Sequence, residues 1–177
     1  WNRKINLVGP ATIEDLWNRH VVDSAQVFHV KQSGFNTWVD IGSGAGLPGL
    51  ICAVLASEHN PEAKFTLIES DQRKAAFLRT ASREMGISTE VRSERIEKSA
   101  PCQADVLSAR ALADLSQLLE YAERHLNPTG VALLQKGASW KSEVQKAQEK
   151  WQFSYVVHNS ITNEESTILE IGEIQRV

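Results

Sequence analysis

Apolar residues along the chain follow two rhythms, short runs with strand character and longer stretches that repeat at helical spacing. Trp38-Val39-Asp40-Ile41 reads as a strand, because aromatic and β-branched residues suit a pleated, half-buried surface. Leu50, Ile51, Val54 and Leu55 then carry a helix that stops around His59-Asn60-Pro61. Lys64 to Glu69 is a second strand, ending in an acid. Lys74 to Met85 is helical, with Phe77, Leu78, Ala81 and Met85 inward, Arg73, Lys74, Arg79 and Arg83 outward, and Gly86 ending it. Thr89 to Arg92 is a short strand, Ser93 to Glu97 a loop, and Ala104 to Ala109 another strand with Arg110 just beyond it. Leu112, Leu115, Leu118, Leu119, Ala122 and Leu126 form an amphipathic helix ended by Asn127-Pro128-Thr129-Gly130. Val131 to Leu134 is a strand, Trp140 to Trp151 a charged surface helix, and Phe153 to Val157 and Thr167 to Ile171 the last strands. No helix fits in the polar run Asn159 to Ser166, so these two strands pair as an antiparallel hairpin. Ahead of all this, Thr12 caps a helix whose apolar face is Trp17, Val21, Ala25 and Phe28 and which ends near Gln32-Ser33-Gly34.

The alternation of strands and helices predicts an α/β fold with a mostly parallel sheet closed by that hairpin. At 177 residues the chain is read as one domain, a helical segment over 1–33 and a Rossmann-like core over 34–177. Hydrophobic content of 42% and charged content of 23% are those of an ordinary globular protein. No apolar run reaches the length of a membrane span, and no signal peptide opens the chain. Cys52 and Cys102 lie far apart without metal-ligand spacing, so a reduced, cytoplasmic protein with no metal site is expected. A net charge of −3 argues against bulk electrostatic binding to nucleic acid and leaves room for a local basic face.

Chemistry concentrates in Gly42-Ser43-Gly44-Ala45-Gly46-Leu47-Pro48-Gly49, between the first core strand and its helix. Such a loop brings backbone N–H groups and a helix N-terminus close to a ligand, and Pro48 suits the helix's first turn. Gly44, Gly46 and Gly49 fit the dinucleotide fingerprint, with Glu69 near the expected spacing of about 20 residues. Glu69 would accept the ribose hydroxyls of NAD or of S-adenosylmethionine, or else cap the next helix. Asp40 and the additional Gly42 favour a ligand with positive charge, such as the amino group or sulfonium of S-adenosylmethionine. Val39-Asp40-Ile41-Gly42-x-Gly44-x-Gly46 resembles the first motif of Rossmann-like class I methyltransferases. The closing hairpin separates that class from dehydrogenases.

The chain as a whole resembles one family. Trp1-Asn2-x-x-Ile5-Asn6-Leu7, Arg19-His20-x-x-Asp23-Ser24, the glycine loop and Phe77-Leu78 occur in order, followed by Arg95-Ile96-Glu97, Ser108-Ala109-Arg110-Ala111 and Lys136-Gly137. Together they resemble the bacterial guanine-N7 methyltransferases of 16S ribosomal RNA, also called glucose-inhibited division protein B. The resemblance implies a seven-stranded class I fold and S-adenosylmethionine as cofactor. It implies that Gly42, Gly44 and Leu47 contact that cofactor with Asp40, that Glu69 takes its ribose, that Ile96 and Glu97 border its adenine, and that Arg110 belongs to the same site. Asn2, Arg3, Arg19, His20 and Lys136 would line the opening where RNA enters, and Asp23 is the candidate for stabilising the cationic product guanine. The implied partner is 16S rRNA within the small ribosomal subunit, met by a monomer away from membranes. The family carries part of an N-terminal helical segment upstream of Trp1, and has threonine or serine where this chain has Val8. Three other activities share some of these features: a NAD-dependent oxidoreductase, a methyltransferase for a non-RNA substrate, and a cofactor sensor without catalysis.

Overall fold

The computed structural model describes residues 1–177. A short helix α1 (Asn2–Ile5), a single 3-10 turn (Pro10–Thr12) and a π-helical stretch (Trp17–Val22) lead into α2 (Asp23–Val30). The core follows as β1 (Thr37–Ile41), α3 (Gly49–His59), β2 (Lys64–Ile68), α4 (Gln72–Glu84), β3 (Thr89–Arg92) and β4 (Ala104–Arg110). It continues through α5 (Leu115–His125), β5 (Leu126–Lys136), α6 (Trp140–Ala147), β6 (Trp151–Asn159) and β7 (Thr167–Arg176). One seven-stranded sheet runs β3-β2-β1-β4-β5-β7-β6. Pairing is parallel from β3 to β5, and β7 enters antiparallel between β5 and β6. This is the doubly wound sheet with a closing hairpin that the residue pattern predicts.

Strand alternation splits the core into two layers. Val39, Ile41, Leu107 and Ala109 join Leu115, Leu119 and Val144 on the side of α5 and α6. Trp38, Phe65 and Val106 face Val27, Phe28 and Ala53 of α2 and α3 on the other. There Trp38 stacks on Phe65 at 5.6 Å between centroids, with Phe35 edge-on at 5.2 Å.

Several boundaries differ from the periodicity. No continuous helix starts at Thr12, whose Oγ1 donates to Gly9 O within the 3-10 turn. Trp17 leaves the expected apolar face and is 68% exposed, because the wider i→i+5 winding of Trp17–Val22 shifts the phase of a 3.6-residue repeat. Met85, at the C-terminal end of α4, is also exposed. Asp114 caps α5 by accepting from Gln117 N at 3.0 Å, so the helix starts after Leu112. Asn127 to Gly130 run inside β5, and Trp151 opens β6 instead of ending α6.

The first turn of α3 is packed hard against β1. A Cβ at Gly49 would stand 2.6 Å from Leu67 Cδ2 and 2.7 Å from Asp40 Oδ2, both in the interior. Gly49→Ala should therefore destabilise the fold by about 1–3 kcal/mol, the usual cost of overpacking. Urea unfolding measures this directly; an unchanged midpoint would show that α3 has room to withdraw.

Candidate active site

Two hollows open on the carboxyl-terminal edge of the sheet, beside the switch point where β1 and β4 send their connections in opposite directions. The first, of about 270 Å³, is floored by Gly42 and Gly44 and walled by Glu69 on one side and Ile96 and Glu97 on the other. Gly42 has φ +62°, and a Cβ there would stand 2.6 Å from Leu112 Cδ1, so only glycine leaves this floor open. Glu69 is 8% exposed. Its Oε2 accepts from Gly44 N at 2.8 Å and its Oε1 from the N–H of Asp71, the α4 cap, at 2.7 Å. A carboxylate has about four lone-pair positions, so both oxygens can still accept from a diol. Glu69 thus braces the entry to α4, whose cap is Asp71, while keeping acceptor positions toward the hollow.

Asp40 sits elsewhere. Alternation along β1 turns its side chain, like that of Trp38, into the layer of α3, where it is 1% exposed and lines neither hollow. Trp38 Nε1 donates to Ser108 Oγ at 2.9 Å, and Ser108 Oγ donates to Asp40 Oδ1 at 2.6 Å. Asp40 Oδ2 has no hydrogen-bond partner. Loss of hydration raises the carboxyl from its ordinary value to about 6, opposed by the hydrogen bond from Ser108. Asp40, expected to meet a ligand's positive charge, lies closed off beneath the loop and lines neither hollow.

The second hollow, of about 360 Å³, is polar and contains Arg19, His20, Asp23, Arg110 and Lys136. Arg110, at the end of β4, donates through Nη1 to Asp23 Oδ2 at 3.0 Å and meets His20 Nδ1 through Nη2 at 2.6 Å. Guanidinium only donates, so His20 Nδ1 is the acceptor and its proton sits on Nε2. That N–H faces Thr12 Oγ1 at 2.7 Å, whose own hydrogen goes to Gly9 O. Burial, then the Arg110 charge, lowers the imidazole's proton affinity, so His20 is neutral here. Lys136 is 9% exposed, paired with Glu143 Oε2 at 2.6 Å and donating to Ala113 O at 3.0 Å.

Ala111 borders both hollows and holds a left-handed φ of +49°, uncommon for a residue with a Cβ. Its backbone turns the chain at the junction between them. The structure thus gathers Gly42, Gly44, Glu69, Ile96 and Glu97 in one hollow and Arg19, His20, Asp23, Arg110 and Lys136 in the other. Leu47, Asn2 and Arg3 line neither. Asn2 is turned inward on its own segment, its Oδ1 accepting from Leu7 N at 2.7 Å and Val8 N at 2.9 Å. Asp23, the candidate for stabilising the product guanine, lies in the second hollow with protein donors on both oxygens of its carboxylate. Leu112 and Tyr121 in the first hollow, and Gln135 and Thr162 in the second, escaped the residue pattern. Only tertiary folding brings Thr162 to Asp23, 139 positions away. No group of three or more His, Cys, Asp or Glu side chains is placed to hold a metal ion.

The sheet order and closing hairpin are those of the S-adenosylmethionine-dependent methyltransferases. A SAM-dependent methyltransferase from Aquifex aeolicus superposes with a TM-score of 0.65 at 14% identity, covering 93% of this chain and 97% of that one. A protein from Pyrococcus horikoshii superposes with a TM-score of 0.69 at 7% identity, over 97% of this chain and 95% of that one. Residues 1–171 match the rRNA small subunit methyltransferase G family, and the chain belongs to it. The Ribosomal RNA small subunit methyltransferase G of Ruegeria pomeroyi is 55% identical, over 100% of this chain and 86% of that one. Its namesake in Cereibacter sphaeroides is 45% identical, over 100% and 85%. The oxidoreductase alternative gives way to this membership.

The site carries a pH signature. Asp40's folded-state value lies above its ordinary 3.8, so its contribution to stability is full below that value and lost as pH rises through about 6. The ionised form then costs about 3 kcal/mol. In the ligand-free protein, the stability of Asp40→Asn relative to wild type should rise by about that much from about pH 4 to about pH 8. Chemical unfolding across this range measures it; a pH-independent difference would place the carboxylate in contact with water.

Proposed function

We propose that the enzyme methylates N7 of a guanine in 16S ribosomal RNA, working in the cytoplasm as a monomer on an assembled or partly assembled small subunit. Family membership makes it a methyltransferase of small-subunit ribosomal RNA with S-adenosylmethionine as methyl donor. The observation that carries the finer reading is the junction of the two hollows at Ala111. The adenosine lies in the first, between Glu69 and Ile96–Glu97, and the methyl-bearing end points toward the second, where the base arrives. Pockets for ligands of this size commonly span 300–1,000 Å³, and the two hollows of about 270 and 360 Å³ together fall in that range. Gly42 without a Cβ and the two spare lone pairs of Glu69 fit an adenosine.

When bound, S-adenosylmethionine supplies a methyl group already activated by the sulfonium. Guanine N7 presents an in-plane lone pair and carries no proton, so none of the residues here has to act as a base. Neutral His20 is consistent with that: its Nε2 proton is held by Thr12, and its Nδ1 supports Arg110. What remains is positioning, the alignment of nucleophile, methyl carbon and sulfur with water kept out. Glu69 orients the ribose, Ile96 supplies an apolar border for the adenine, and Arg110, beside Ala111 on the lining of the second hollow, places a positive charge at the substrate end. The base reaches the second hollow by leaving its stack.

The chain's net charge of −3 gives it little long-range attraction to naked RNA, which supports a structured particle as substrate. Labelled S-adenosylmethionine incubated with small subunits from a strain lacking the enzyme should place the label on N7 of one 16S guanine. A protein-free hairpin of the same sequence should react far more slowly. Label on adenine or on ribosomal protein, or equal rates on both substrates, would contradict the proposal.

A further inference from the structure

Asp23 opens α2 and joins parts of the chain that are remote in sequence. Its Oδ2 accepts from Arg110 Nη1 at 3.0 Å and Gln135 Nε2 at 2.7 Å. Its Oδ1 accepts from Gln26 Nε2 at 2.8 Å and Thr162 Oγ1 at 2.9 Å. The four acceptor positions of a carboxylate are therefore used by β4, β5, α2 itself and the connection between β6 and β7. Gln26 doubles the attachment, accepting from Ile161 N at 3.0 Å and reaching Ser160 Oγ at 3.1 Å.

Proton directions follow from the carboxylate, which only accepts. Thr162 must spend its hydroxyl hydrogen on Asp23, so Ser160, 3.0 Å away, donates to Thr162. Ser160 Oγ in turn accepts from Gln26 Nε2 and from Thr162 N at 3.2 Å. One carboxylate thus orders a hydroxyl chain in a segment that would otherwise be a polar hairpin tip. Thr162, Asn163 and Ser166 of that segment line the second hollow opposite Arg19 and His20.

We propose that Asp23 is a positioning residue that straps the β6–β7 connection to α2, and that Thr162 is the side chain through which this strap sets the substrate-facing wall of the second hollow. The inference rests on the reading that this hollow receives the RNA base. Asp23 meets protein donors on all sides, and its effect on the substrate is transmitted through Arg110 and Thr162.

The test combines amide exchange over residues 160–166, cofactor affinity and steady-state kinetics on small subunits, in wild type, Thr162→Val, Thr162→Ser and Asp23→Asn. Thr162→Val removes one hydrogen bond to a charged acceptor, so KM for the subunit should rise about tenfold with kcat and cofactor Kd nearly unchanged. Exchange at Ile161 and Thr162 should accelerate, and Thr162→Ser, which keeps the hydroxyl, should recover most of both effects. Asp23→Asn should loosen the same amides, because the side-chain amide turns one acceptor into a donor facing the donors of Gln135, Gln26 and Thr162. Faster exchange in Thr162→Val with KM unchanged would overturn the substrate role. Unchanged exchange in Asp23→Asn would overturn the strap, and this readout decides even where Thr162→Val fails to fold. A wild-type enzyme that transfers no methyl to subunits refutes the RNA reading separately, and the exchange data still judge the strap.

Discussion

The ligand edge of this sheet depends on how Glu69 is held. A glycine-rich turn leaving β1 has few side chains with which to anchor itself, Ser43 Oγ donating to Asp40 O at 2.9 Å, and its backbone N–H groups need partners. Ser43 N finds Ile68 O at 3.1 Å, and Gly44 N finds the Glu69 carboxylate at 2.8 Å. The other oxygen of Glu69 takes the N–H of Asp71, the residue whose own side chain caps α4. One carboxylate therefore fixes the turn after β1 and the entry to α4 together. It does so with lone pairs to spare, and both groups form walls of the first hollow. Lengthening either contact would move the floor of that hollow relative to its rim.

The two other acids near this edge are held in different surroundings. Asp40 is enclosed with one oxygen bonded to Ser108 and the other without a partner, and its proton affinity rises accordingly. Asp23 is half-buried but surrounded by donors, with the Arg110 guanidinium at 3.0 Å, and it organises hydroxyl and amide groups from distant parts of the chain. The first supports β1 and α3 from below; the second assembles the polar hollow above. Ser108 and Arg110, two positions apart on β4, connect the two systems through a single strand.

Residue patterns reveal what is local. The strand–glycine–helix passage, the parallel core and the closing hairpin each follow from a few neighbouring positions, and the order of short motifs points to the family. The first hollow was legible for the same reason, because Gly42, Glu69, Ile96 and Glu97 each sit at the end of a strand or in the loop after one. The second hollow was legible only in part. Arg19, His20 and Arg110 were marked, but Gln135 and Thr162 reach Asp23 across 112 and 139 positions, and no periodicity encodes that. Lys136 does line the second hollow, although Glu143 holds its ammonium, whereas Asn2 lines neither hollow because its amide closes its own turn. Hydrophobic spacing failed at Trp17 because a π-helical stretch breaks the repeat that the spacing assumes.

The central claim is that an adenosine is received by the Glu69 carboxylate over the turn after β1. Calorimetric titration with S-adenosylmethionine of wild type and Glu69→Gln tests it most directly. The amide keeps the size of the side chain but turns one acceptor into a donor, leaving a backbone N–H or a ribose hydroxyl unpaired. The account predicts one equivalent bound by wild type and affinity at least about tenfold weaker in the variant, the effect of losing a hydrogen bond to a charged group. Equal affinities, or a wild type that binds NADH in preference, would contradict it.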